Sequence, residues 1–173
     1  MAIREIVTHP APVLRQKARK ITDFGPELQS LIEDMVDTMR QAPGVGLAAP
    51  QVGVSLQLIV VEYSENAEGQ ENKEPPKLYT IVNPEIIRVS NEQELGTEGC
   101  LSIPGFVGDV DRPLAITLKG VNRRGKPVRI KADGWLARIF QHEVDHLNGV
   151  LFIDRAEKVW EVEEQTGQVS PAD

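Results

Sequence analysis

The sequence lacks several features that mark particular classes of protein. Its single cysteine, Cys100, allows no disulfide within the chain. No apolar run approaches the roughly 20 residues that a membrane-spanning helix needs, and residues 1–5 show no hydrophobic region of a signal peptide. The net charge of −7 argues against broad affinity for nucleic acids. We therefore expect a cytoplasmic protein that binds neither membranes nor DNA.

Length and composition bound the domain organisation. A chain of 173 residues with 40% hydrophobic residues is large enough for one domain with its own core. From residue 156 onward the sequence becomes acidic and poor in core residues. We expect a single catalytic domain at 1–155, followed by an acidic C-terminal tail at 156–173.

Histidine is also scarce, and two of the three histidines stand in one motif. The stretch Gln141-His142-Glu143-Val144-Asp145-His146 has the H-E-x-x-H pattern. Residues four apart differ by only about 40° around a helix axis, so both imidazoles can bind one metal ion. Glu143 points about 100° away from His142. It is therefore better placed to reach a water on the metal than to be a ligand itself.

The residues around the motif predict a helix. Asp133 can cap its start, and Gly149 stands where a helix is expected to stop. The apolar residues recur at helical spacing and place the two histidines and Glu143 on the inward face. On the same pattern, four polar residues are expected to face solvent: Arg138, Gln141, Asp145 and Asn148.

Periodicity elsewhere predicts one further helix and several strands. Pro26 can begin a helix whose apolar residues repeat at helical spacing as far as Gln41. The tail is expected to form a short helix, and 64–77 a loop between strands. Strands are predicted at 56–63, 78–82, 85–89, 107–110, 115–121, 127–132 and 150–153. This order predicts an α+β fold, in which antiparallel sheets pack around the central metal-binding helix, with an additional N-terminal helix.

Two histidines leave the third protein ligand of a catalytic site to be found. The metzincin continuation of the motif would place it at Phe152, which cannot bind metal. A tail glutamate, Glu161, Glu163 or Glu164, would make the protein a zinc endopeptidase. The thiolate of Cys100 would instead complete a Cys/His/His site.

A non-enzymatic binding module with a structural metal is a further alternative. Structural sites usually fill all four positions with protein ligands. Only three obvious ligands are present here, and Glu143 has no evident task in a structural site. The pattern therefore favours an enzyme.

Three segments together resemble a known family. They are Gly44-Val45-Gly46-Leu47-Ala48-Ala49-Pro50-Gln51, Glu98-Gly99-Cys100-Leu101-Ser102 and the H-E-x-x-H stretch. In order and spacing they are similar to the three signature motifs of peptide deformylase, and the resemblance spans residues 3–154. The lead-in at 137–140 looks like that of the type 1B branch. The acidic tail does not resemble the basic C-terminal helix of some bacterial members, so ribosome docking through the tail is not expected.

The resemblance implies a reaction and a metal. The family removes the formyl group from N-formylmethionine at the start of nascent peptides. By this resemblance, Cys100, His142 and His146 hold one divalent metal per chain, typically Fe²⁺ and replaceable by Ni²⁺, Co²⁺ or Zn²⁺. Glu143 takes a proton from the attacking water and passes it to the leaving amine.

The resemblance also implies how the substrate is held. The side-chain amide of Gln51 and the backbone N–H of Leu101 would stabilise the oxyanion. Gly46 and Gly99 would contact the extended peptide. From the helix face rather than from the resemblance, we infer that the apolar residues Val45, Trp135 and Ile139 wall the methionine pocket.

Overall fold

The computed structural model describes residues 2–65, 71 and 74–162, which form three α-helices and eight strands. The helices are α1 (Pro26–Gln41), α2 (Gly134–Leu147) and α3 (Phe152–Arg155). The strands are β1 (Gly46–Ala48), β2 (Leu58–Tyr63), β3 (Lys77–Val89), β4 (Gln93–Cys100), β5 (Ile103–Pro113), β6 (Ala115–Val121), β7 (Pro127–Asp133) and β8 (Lys158–Glu161). No helix of this part of the chain is long and apolar enough to cross a membrane.

The larger sheet lies between α1 and α2. Its strand order is β1-β2-β3-β6-β7, with neighbours antiparallel. Alternate residues of β2 enter different cores: Ile59 and Val61 pack with α2, whereas Leu58 and Val60 pack with α1. This explains why β2 is a continuous apolar run, since both of its faces are covered. Burial of each such side chain contributes roughly 1.5–3 kcal/mol.

The smaller sheet is built on the β4–β5 hairpin. Its order is β4-β5-β8, again antiparallel. The hairpin ends in a tight turn at Leu101 and Ser102, after which Ile103 pairs with Cys100. A register shift between Gly99 and Cys100 interrupts the ladder, and such irregularities redirect side chains. The turn therefore sets the direction of the cysteine side chain.

The helix α1 begins at Pro26 as predicted, where the missing N–H of proline does no harm. Its apolar face is buried against the larger sheet. The buried apolar residues are Leu28, Leu31, Ile32, Met35, Val36 and Met39.

The helix α2 is the central element and packs against strands of both sheets. Asp133 occupies its N-cap position, but the side chain makes no capping hydrogen bond. The helix stops before Gly149, whose φ of +73° suits glycine. The predicted solvent-facing side is wrong for Arg138, Gln141 and Asp145, which are buried, whereas Asn148 is exposed as predicted. Hydrophobic periodicity missed this because the face is covered by hydrogen-bonded and ion-paired groups rather than by apolar residues.

The α+β prediction, with antiparallel sheets around the metal-motif helix, is confirmed. Several details differ. The strand β1 was not predicted, and the predicted strands 78–82 and 85–89 form the single strand β3. The strand β4 was not predicted because its sequence is polar and contains glycines. Residues 150–153 do not form a strand: Val150 and Leu151 precede α3, and residues 152–153 begin it. The Asp154 carboxylate accepts the Leu151 N–H at 2.9 Å and caps this helical turn. The described part of the tail, 156–162, contributes β8 rather than a helix.

Candidate metal centre and active site

Three potential metal ligands converge from two elements. Cys100 comes from the end of β4, and His142 and His146 come from one face of α2. Their ligand atoms all lie within 4.8 Å of one another, and Cys100 Sγ lies 3.3 Å from His146 Nε2. All three residues are buried. A thiolate and two imidazoles at these distances suit one divalent metal ion with a fourth position left open.

The candidate ligands of the endopeptidase hypothesis are not brought to this site. Glu161 lies on β8 opposite Phe106 and is exposed. Glu163 and Glu164 lie outside the described residues. Phe152, the metzincin position, is buried with Cys100 in a small apolar cluster.

A carboxylate that the sequence analysis did not single out holds His142. Glu98 is fully buried on β4, and its Oε1 lies 2.9 Å from His142 Nδ1. The carboxylate accepts, so Nδ1 carries the proton and Nε2 is left to face a metal. Burial alone would raise the pKa of Glu98, but hydrogen bonds from Arg112 and His142 hold that pKa far below its ordinary value. The sequence feature that could have identified Glu98 is its position two residues before Cys100 in the same segment.

Glu98 belongs to a buried network of charges that also explains Asp145. Arg112 donates to both oxygens of Glu98, at 2.5 and 2.9 Å, and to Asp145 Oδ2 at 2.9 Å. Arg155 of α3 donates to both Asp145 oxygens, at 2.7 and 2.9 Å. Asp145 was expected in solvent and is instead the link between the metal helix and α3. Such a network is costly to break, because removal of one partner leaves a buried charge uncompensated.

Glu143 is buried directly against the backbone of β1. A Cβ atom at Gly46 would lie 2.6 Å from Glu143 Oε2, so only glycine leaves room for this carboxylate. In the described part of the chain, Glu143 Oε1 has no hydrogen-bond partner. Burial raises the pKa of Glu143 to about 7; a cation nearby would lower it. A buried carboxylate without a partner is costly and points to a functional role.

The pKa values of the two histidines are shifted in opposite directions. Burial and the neighbouring His142 hold the pKa of His146 well below its usual range, which keeps the ring in the neutral form that binds metals. Burial would also lower the pKa of His142, but its hydrogen bonds with Cys100 and Glu98 raise it. His146 Nδ1 has no partner among the described residues. The residues present therefore fit a metal ion.

Gln51 is brought to the ligands by a short 3-10 helix at Ala49–Val52. Its Oε1 accepts the Ala48 N–H at 3.0 Å, which orients the amide. Its Nε2 then points to Ser102 Oγ at 3.1 Å and to Cys100 Sγ at 3.5 Å. The predicted partner Leu101 lies half-buried in the adjoining turn. The structure thus places a side-chain donor beside the metal ligands.

The predicted substrate residues differ in their position and in how deeply they are buried. Gly46 starts β1, which stands at an end of the larger sheet. Gly99 is buried in β4 beside Cys100. Val45 and Trp135 are half-buried, whereas Ile139 is 1% exposed and belongs to the core packed against α2. A pocket wall could therefore use Val45 and Trp135 directly, with Ile139 behind them.

The sequence is similar to those of known proteins. A sequence model described as polypeptide deformylase matches residues 3–161. The peptide deformylase of Natranaerobius thermophilus is 47% identical over 164 residues, covering 95% of this chain and 99% of that protein. The enzyme of Halothermothrix orenii is 53% identical over 150 residues, covering 87% and 91%.

Solved structures of peptide deformylases are also similar to this chain. The peptide deformylase of Thermotoga maritima aligns with a TM-score of 0.80 and 39% identity, covering 91% of this chain and 100% of that one. The class I type b enzyme of Acinetobacter baumannii, bound to Met-Ala-Ser, aligns with a TM-score of 0.81 and 35% identity, covering 90% and 100%.

The fold and the buried Cys/His/His group beside an acid define a metal-dependent hydrolase. The chain belongs to the polypeptide deformylase family. It removes the N-formyl group from nascent peptides.

Proposed function

We propose that this chain deformylates N-formylmethionyl peptides with one divalent metal ion held by Cys100, His142 and His146. The observation that carries the assignment is the buried Glu143 carboxylate, whose Oε1 has no hydrogen-bond partner among the described residues, beside three convergent ligand atoms. When bound, such an ion acts as a Lewis acid and lowers the pKa of a water at its open position. We further propose that the ion in the cell is Fe²⁺ and that Ni²⁺, Co²⁺ or Zn²⁺ can replace it. The mixed thiolate and imidazole donor set is compatible with each of them.

Glu143 is the proton carrier in this proposal. It accepts a proton from the attacking water and donates it to the amine that leaves the formyl carbon. Its burial next to the ligand His142 supports this role, because a carboxylate held in place can accept a proton and then return it. Gly46 keeps the carboxylate in place, since any larger residue would displace it.

Gln51 and Leu101 stabilise the oxyanion that forms as the formyl carbon becomes tetrahedral. The Gln51 amide is already oriented by Ala48, so it need not reorganise during the reaction. The Leu101 backbone N–H follows the ligand Cys100 directly and would supply a second donor. Donors fixed in a buried site are worth more than donors in water.

The substrate lies extended along the start of β1 in this proposal. Gly46 and Gly99 approach its backbone, and Val45, Trp135 and Ile139 form the methionine pocket. The similar Acinetobacter baumannii enzyme has been solved with Met-Ala-Ser bound, a peptide that begins with methionine, which supports a methionyl substrate. Because the substrate is a nascent chain, we place the reaction in the cytoplasm, close to the ribosome, with the catalytic domain at 1–155 and no docking role for the acidic tail.

The test uses formyl-Met-Ala-Ser and measures the free amine released by protein loaded with iron, nickel or zinc. We expect release of formate with each metal and no cleavage within the peptide. Acetyl-Met-Ala-Ser is the matched control, since its blocked amide carries an extra methyl group on the carbon attacked. Cleavage of an internal peptide bond, or equal activity in metal-free protein, would contradict the proposal.

A further inference from the structure

Arg138 has no part in the chemistry above, yet it is buried beside the metal centre. The residue is 5% exposed and lies on α2, four residues before His142. Its Nη1 donates to Glu98 Oε2 at 2.6 Å and to the Val110 carbonyl at 2.9 Å, and its Nη2 donates to the Glu94 carbonyl at 2.6 Å. This side chain therefore connects the helix of the two histidines to both strands of the hairpin that carries Cys100.

The guanidinium rests on Gly96 of β4. A Cβ atom at position 96 would lie 2.7 Å from Arg138 Cζ and 2.8 Å from Nε, closer than such atoms approach. The Trp135 ring centroid lies 5.3 Å from the same Cζ. A glycine inside a strand weakens it and often marks close approach of another group. At Gly96 the approaching group is the Arg138 side chain.

We propose that Arg138, seated on Gly96, is a positioning residue for the metal centre. Glu98 accepts four hydrogen bonds: Oε1 from His142 and Arg112, and Oε2 from Arg112 and Arg138. Arg112 comes from β5 and reaches α2 only through Asp145, at 2.9 Å. Arg138 fixes it relative to the helix that also carries His142. The orientation of the His142 ring, and with it the direction of Nε2, then depends on both arginines.

The first experiment measures zinc affinity by chelator competition. Arg138→Met keeps the length of the stem and removes every donor, so we expect affinity to fall about tenfold, at the lower end for changes behind a metal ligand, because Arg138 acts through Glu98. Arg138→Lys keeps the charge but cannot reach three acceptors with a fixed fork of donors. Its zinc affinity should therefore lie between those of wild type and Arg138→Met. This inference rests on the proposed ligand set.

A spectroscopic measurement separates positioning from stability. In zinc-loaded protein labelled with ¹⁵N-histidine, the proton on His142 Nδ1 reports the hydrogen bond to Glu98. We expect Arg138→Met to shift this resonance and to speed its exchange with water. Arg40→Met is the matched control, because Arg40 also grips a carboxylate, Glu62, through two bonds but lies away from the site. It should change neither the resonance nor the zinc affinity.

The contact between Gly96 and Arg138 allows a second, independent test of the proposal. Gly96→Ala should lower zinc affinity by displacing the guanidinium. In the Arg138→Met background the same change should add little, since a flexible methionine can move aside. The two effects should therefore be strongly non-additive. If Arg138→Met does not fold, Arg138→Lys and Gly96→Ala still decide the question.

The possible failures are distinguishable. Cys100→Ala should abolish tight zinc binding; if it retains a full equivalent, the ligand set of the proposed function is wrong. If Cys100→Ala loses zinc but the Arg138 and Gly96 variants bind zinc as tightly as wild type, with an unchanged His142 resonance, then Arg138 serves stability alone and the inference is overturned.

Discussion

Replacing Glu98 with glutamine tests how strongly the buried charges support the site. The change keeps the shape of the side chain and removes its charge. The carboxylate accepts four hydrogen bonds, two from Arg112, one from Arg138 and one from His142. The amide of glutamine has only one oxygen to accept with, and its NH₂ group would meet a donor instead of an acceptor.

The expected loss of stability follows from the contacts that each partner of Glu98 loses. Breaking a buried ion pair costs about 3–5 kcal/mol because a charge is left uncompensated. Arg112 keeps Asp145 at 2.9 Å, so we expect the lower part of that range, about 3 kcal/mol. For a domain of this size that corresponds to a fall in Tm of roughly 6–12 °C. Because His142 loses its acceptor, metal affinity should also fall, by about 10–100-fold.

The assay combines thermal unfolding of metal-free protein with zinc competition. Glu62→Gln is the matched control, since Arg40 contacts Glu62 through two bonds at 3.0 and 2.7 Å at the surface. Glu62→Gln should lower the free energy of unfolding by less than about 1 kcal/mol and leave zinc affinity unchanged. If Glu98→Gln unfolds no more easily than Glu62→Gln and binds zinc like wild type, the network does not support the metal centre as argued.

The stability difference between wild type and Glu98→Gln should depend on pH, and the pKa of Glu98 determines its direction. The folded-state pKa of Glu98 lies below its ordinary value of 4.5, since hydrogen bonds from Arg112 and His142 outweigh the burial that would raise it. Its stabilisation is therefore complete above pH 4.5 and is lost as the pH falls through the folded-state pKa. The stability gap between wild type and Glu98→Gln should narrow in acid, and a gap that widens would refute the reasoning.

The remaining predictions concern chemistry and the tail. Glu143→Gln should keep a full metal equivalent and lower kcat by about 10²–10⁴-fold or more, since no proton carrier remains; steady-state kinetics with metal analysis checks this. Gln51→Leu should lower kcat and kcat/KM together by about 10²–10³-fold; a rise in KM alone would make Gln51 a ground-state contact. Ending the chain after Arg155 should preserve metal and most turnover but lower Tm, because β8 pairs with β5; loss of metal would implicate the tail in the site. The iron form should lose activity in air while the nickel form does not, because iron and the Cys100 thiolate can be oxidised; equal half-lives would point to another metal.

Local periodicity determined much of this protein. Helical spacing in α1 and the four-residue interval between His142 and His146 depend only on helix geometry, so both were predicted without knowledge of the fold. The α+β class followed from the order of these patterns. The H-E-x-x-H stretch, Gln51 and Cys100 were singled out before the structure placed them side by side.

Tertiary structure decided what surrounds those residues. Asp145 was assigned to solvent because a charge on the side opposite the apolar stripe is normally exposed; only the meeting of Arg112 and Arg155 makes its burial stable. The strand β4 carries almost no apolar signal, and its partner β5 holds it in the sheet. Glu98 therefore could not be assigned to His142 from spacing, since the two are 44 residues apart and are joined by long-range packing. Local geometry specified the two histidines, and the fold supplied the buried charges that orient them.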